Sequence, residues 1–100
     1  MKFTIRYSQQ ANADLAGSYE WGIERWGFEA AGRWLTSIDS RINDRLSVMP
    51  YACPLAPETI EFEYDVRQLI FGRYRVLFSI DGEDVRILRI RGPFNKDSKR

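Results

Sequence analysis

Six arginines lie inside one apolar stretch, VRQLIFGRYRVLFSIDGEDVRILRIR, covering residues 66–91: Arg67, Arg73, Arg75, Arg86, Arg89 and Arg91. A guanidinium is a planar, permanently charged fork whose donors match carboxylates and phosphates, so arginines brought together on a folded surface bind anions. Bond chemistry needs more. Histidine is absent from the chain. That excludes Ser-His-Asp and Cys-His nucleophilic sites, as well as the usual zinc and iron ligand sets. The single Cys53 can form no internal disulfide, and no basic neighbour in sequence supports a reactive thiolate. No GxGxxG or GxxxxGK[ST] loop occurs, so nucleotide cofactors are not expected, nor is any other cofactor.

The charge is balanced overall but segregated along the chain. Fifteen basic and fourteen acidic residues give +1, too little for a whole-molecule field that would attract nucleic acid. Glu58, Glu61, Glu63 and Asp65 crowd one segment, and the arginines follow with Lys96, Lys99 and Arg100.

The elements that must position these side chains follow from periodicity. In the arginine-rich stretch, alternation puts Tyr74, Val76, Phe78 and Ile80 on one strand face, which reads as core, and Arg73, Arg75, Leu77 and Ser79 on the other. Arg67 shares a row with Leu69 and Phe71; strict alternation continues Val85 and Ile87 into Arg89 and Arg91. Gly72-Arg73 and Asp81-Gly82 are hairpin connections, giving three antiparallel strands. Upstream, Phe3, Ile5 and Tyr7 alternate as a first strand. Ser8 is placed to cap a helix from Gln9 to about Trp26, whose stripe is Ala11, Leu15, Tyr19, Gly22/Ile23 and Trp26. Gly27 ends it, and Ala31, Trp34, Leu35, Ile38, Ile42, Leu46 and Met49 mark a second helix stopped by Pro50. Trp26 and Trp34 fall on these stripes and read as core, whereas Trp21 falls off its stripe and reads as a contact residue. Residues 51–65 read as loop, with Thr59 to Phe62 expected to pair loosely with the sheet. The chain is therefore expected to be one α+β domain over residues 1–100, in the order β-α-α-β-β-β. A helical hairpin packs on one face of an antiparallel sheet, and the basic tail from about residue 96 is mobile. No apolar run reaches the length of a membrane span, and MKFTIRYSQQ lacks a signal-peptide core, so the cytoplasm is the expected compartment.

Taken together, FTIRYSQQANADL, then AAGRWLTSIDSRINDRLSVMP ending at a proline, then YRVLF and the strand end ILRIRG resemble the RelE/ParE superfamily of type II toxin–antitoxin toxins, also called plasmid stabilisation proteins, and more closely its ParE-like branch. The resemblance runs over about ninety residues. It implies a growth-inhibiting toxin neutralised by a cognate antitoxin. ParE-like members poison DNA gyrase; RelE-like members cut messenger RNA on the ribosome. A third possibility is a non-toxic binding partner of an antitoxin-like repressor.

For a ribonuclease, the resemblance places Arg75, Arg67 and Arg91 as catalytic candidates. The departures weigh against bond chemistry: no histidine, no tyrosine after Tyr74, and Phe94-Asn95 where nucleases carry further basic or acid groups. For antitoxin or target binding, the candidates are Arg67, Arg75, Arg89, Arg91, Lys96 and Trp21. An acidic and apolar segment is expected to cross the sheet, drawn by basic residues interleaved with Leu69, Leu77 and Ile87. Gyrase is the favoured target, with the translating ribosome as the alternative; the oligomeric state is left open.

Overall fold

The computed structural model describes residues 2–93; Lys96 and the tail expected to be mobile lie outside the described residues. The order is β1 (Thr4–Tyr7), α1 (Gln9–Trp26), α2 (Phe28–Leu46), two short 3-10 turns (Pro50–Ala52 and Pro57–Glu61), β2 (Arg67–Phe71), β3 (Tyr74–Asp81) and β4 (Asp84–Arg91).

Ser8 caps α1 as its position demands. Its hydroxyl accepts the Ala11 N–H at 2.9 Å and donates to the Leu88 carbonyl at 2.9 Å, so the cap also ties the helix to the sheet. One residue, Gly27, separates the helices. Its φ of 99° and ψ of 164° lie in a region open almost only to glycine. This lets α2 fold straight back on α1.

The hairpin makes one out-and-back excursion over a single sheet face and returns the chain to where it left, with the Phe3 N–H bonded to the Ser47 carbonyl at 2.8 Å. β2 therefore starts in the same direction as β1, and so, two turns later, does β4. The sheet order is β1-β4-β3-β2, with β1 parallel to β4 and the other pairs antiparallel. The expected antiparallel meander stands, and the parallel edge strand makes the whole sheet mixed.

The main core lies between this face and the helices: Ile38, Ile42 and Leu46 meet Leu69, Tyr74, Val76, Phe78, Val85, Ile87 and Ile90. Two residues assigned to the helical stripes are exposed instead. Trp26 is 44% exposed and Met49 55%, because each stands at a helix end, past the sheet it would have to cover. The opposite face is partly covered as well. Residues 56–66 fold across it and make a second small cluster of Ala56, Val66 and Leu77, flanked by Phe62 and Leu88. Leu55, not Thr59 to Phe62, supplies the bridge to the sheet, pairing with Arg67; Thr59 instead accepts the Val66 N–H at 2.9 Å and donates to its carbonyl at 2.8 Å.

Candidate functional site

The arginines separate into three environments, and the sheet register decides which. In β2, Arg67 pairs with Phe78 and shares a face with Leu69 and Phe71, so it stands on the helix side. Its guanidinium donates to the Cys53 carbonyl at 2.7 Å and the Tyr51 carbonyl at 3.4 Å, and lies 5.3 Å from the Tyr51 ring centre. It pins the start of the connecting loop.

Arg75 and Arg91 are direct cross-strand partners on the other face, the one crossed by residues 56–66. Strict alternation would have denied them this meeting. Leu77 pairs with Arg89 but Phe78 pairs with Ile87, so Leu88 is an extra residue in β4 and forms a bulge. Beyond it Ile90, not Arg89 or Arg91, returns to the core. The expected row of Val85, Ile87, Arg89 and Arg91 is broken at this point.

Like charges directly opposite on a sheet repel, and Glu58 resolves the conflict. Its carboxylate takes two bonds from Arg75, at 3.2 and 2.5 Å, and lies 3.9 Å from Arg91 Nε. Gln68 accepts a further bond from Arg75 at 2.7 Å. The Arg75 bond holds the Glu58 carboxyl below its ordinary range despite burial, and Glu58 in turn raises the Arg75 guanidinium. Arg75 is a third exposed, which screens the pair. Glu58→Gln is accordingly expected to cost about 1 kcal/mol at neutral pH. A depressed carboxyl stabilises the fold above its unfolded value and loses that contribution as pH falls through the folded value. Urea titrations of the two proteins should therefore converge below the ordinary 4.5. A gap that persists there would remove the ion pair as its cause.

Arg89 belongs to neither group. β1 pairs with β4 only through Ile87, and beyond that point Asp14 of α1 takes the place of a strand. Its carboxylate accepts the Ile90 N–H at 2.8 Å and two Arg89 bonds at 2.9 and 3.1 Å.

Trp21 is half-buried, edge-on to Trp26 with ring centres 5.6 Å apart, and the Arg25 guanidinium lies 4.9 Å from its ring. The two tryptophans line a groove with Trp34, Tyr74 and Arg73 at the tip of the β2–β3 hairpin. Trp34 meets Tyr74 at 4.9 Å. Burial raises the Tyr74 phenol, which is only 4% exposed, so it is core and not a proton acceptor. The Cys53 thiol is also raised by burial, although Arg45, Arg67 and Arg41 oppose the shift. Those arginines are remote in sequence, which is why the cysteine looked isolated.

Of the expected site residues, the structure brings together Arg75 and Arg91, and separates Arg67, Arg89 and Trp21 from them. Glu58, Gln68 and Asp14 were missed. The acidic run beside the basic strands was the available signal for Glu58. Among the described residues no group of three or more Cys, Asp or Glu side chains could hold a metal ion, and no helix is long and apolar enough to cross a membrane.

A helical hairpin on a short mixed sheet is also the fold of chains from toxin–antitoxin complexes. A chain of the chromosomal ParDE system from P. aeruginosa superposes with a TM-score of 0.75 at 22% identity, covering 90% of this chain and 95% of that one. A chain of the RelBE2 complex from Mycobacterium tuberculosis gives 0.62 at 23% identity, covering 92% and 99%. No curated protein sequence matches. Residues 5–92 match the family described as the ParE toxin of the type II toxin–antitoxin system parDE, and the chain belongs to that family.

Proposed function

We propose that this protein is the toxin of a type II toxin–antitoxin pair, neutralised by a cognate antitoxin, and that it arrests growth in the cytoplasm by contact with DNA gyrase and not by cutting RNA. The observation that carries this reading is the separation of the would-be nuclease residues. Arg67 stands on the helix face holding loop carbonyls, while Arg75 and Arg91 share a carboxylate on the other face. Phosphodiester cleavage needs cationic groups converging on one phosphate with an acid and a base in reach. Arg67 and the Arg75–Arg91 pair do not converge, and Tyr74, the nearest phenol in β3, is sealed in the core. A gyrase poison needs only a surface, and the aromatic groove and the hairpin tip, with Trp26 44% and Phe28 70% exposed, offer one.

The test is expression without antitoxin, followed by gyrase supercoiling and by mapping of cleaved messenger RNA. Supercoiling inhibition is expected, unchanged within about threefold in Arg75→Ala, a shift under 1 kcal/mol. Messenger cleavage that vanishes in Arg75→Ala would establish the RelE-like enzyme instead, and absence of any toxicity would leave only the antitoxin-binding role.

A further inference from the structure

Glu58 sits on a segment unusual for holding a buried carboxylate. Pro57–Glu61 buries none of its own residues. It is fastened on either side of Glu58, by the Ala56 N–H to the Val66 carbonyl at 2.7 Å and by Thr59 to Val66, and the Glu58 side chain is only 13% exposed. The carboxylate is thus lowered onto the two guanidinium groups from a surface strap.

We propose that Arg75 and Arg91 form an exchangeable carboxylate-binding site, occupied in the free protein by Glu58 and taken over by a carboxylate from an acidic, apolar segment of a partner protein. The proposal rests on the antitoxin reading above and names the atoms through which such a segment is held. The neighbourhood favours peptide over nucleic acid. Ile70 is the cross-strand partner of Arg75 and is 48% exposed, an apolar foothold beside the charge, and Ile60, two residues from Glu58 on the same turn, is 89% exposed. Exposed Glu61, Glu63 and Asp65 on the same connection would repel a polyphosphate chain at every turn, whereas a segment with spaced carboxylates can set apolar residues there. The planar fork is also already matched to a carboxylate by Glu58 itself.

A site filled from within binds a competitor more weakly, by the fraction of time it stands open. Removing the internal carboxylate therefore raises affinity for an external one. The probe is a short synthetic peptide alternating Glu and Leu, titrated into labelled protein while the Arg75 and Arg91 Nε–H resonances are followed. Glu58→Gln is expected to bind it about tenfold tighter than wild type. Glu61→Gln, which removes the same charge from an exposed position, should stay within about twofold. Glu58→Asp keeps the charge but falls a methylene short of both arginines; it should bind several-fold tighter, and it serves if the glutamine variant folds poorly. Adding Arg75→Gln to Glu58→Gln should erase the gain. The idea is overturned if Glu61→Gln equals Glu58→Gln, if the double variant keeps the gain, or if a single-stranded oligoribonucleotide shows the gain and the peptide does not. Each of these readings is independent of gyrase, so the site and the toxin mechanism stand or fall separately.

Discussion

Asp14→Ala is expected to lower stability by about 2–4 kcal/mol, which for a domain of this length is a fall in melting temperature of about 10–25 °C. The carboxylate is 17% exposed and does two things at once. It accepts the N–H of Ile90, a residue 3% exposed, and it receives both bonds from Arg89, 30% exposed. Alanine leaves a buried amide without its acceptor and a half-desolvated cation without its anion, each costing more than the bond itself was worth. Asp14→Asn is the informative comparator. The amide oxygen can still accept from Ile90 but brings no charge to Arg89, and this variant should lose about half as much. Amide exchange should separate the two parts: in Asp14→Ala the Ile90 amide exchanges with the fraying edge of β4, and in Asp14→Asn it stays protected. A loss below about 1 kcal/mol for alanine would mean that the end of β4 is held by something else.

The second large effect is steric. A Cβ on Gly92 would lie 2.2 and 2.3 Å from two carbons of the Tyr74 ring, far inside contact distance. That ring is 4% exposed and backed by Trp34 at 4.9 Å, so it has nowhere to retreat. Gly92→Ala is expected to cost about 3 kcal/mol, the upper end of overpacking penalties, and to change Trp34 fluorescence as the ring pair is forced apart. Gly32→Ala supplies the opposite sign. Nothing lies within 4 Å of its added carbon, and the residue is inside α2, so the same substitution should stabilise by about 0.5–1 kcal/mol. Equal effects at the two glycines would show that the crowding at Tyr74 relaxes freely.

These two positions mark where sequence reading reaches its limit. Local rules located the elements because their causes are local. The Ser8 cap, the stripe of Ile38, Ile42 and Leu46, and the alternation of Val76 and Phe78 each lie within one helix or one strand. The meeting of Arg75 with Arg91 was legible only as an open question, and its answer depended on Leu88, an insertion that changes nothing in composition. Leu77 and Ser79 fall on the face of the arginines, but they are 1% and 8% exposed, Leu77 because residues 56–66 cover it. No periodicity in β3 reports a distant loop. Trp26 and Met49 failed in the reverse sense: a helical stripe says which way a side chain points, not whether the sheet extends far enough to meet it. Asp14 was invisible for a related reason, since its role exists only because β1 stops opposite Ile87 while β4 runs on.

The bulge at Leu88 also changes how relatives of this chain should be compared. Keep that residue but let it pair regularly, without the bulge, and every arginine would be retained, but the last charges would be carried to the helix side. Two homologues with the same arginines, one with the bulge and one with a regular strand of equal length, would then offer them to opposite surfaces and, in effect, to different partners. The bulge, and not arginine content, is the character to compare when asking which antitoxin a given toxin can accept.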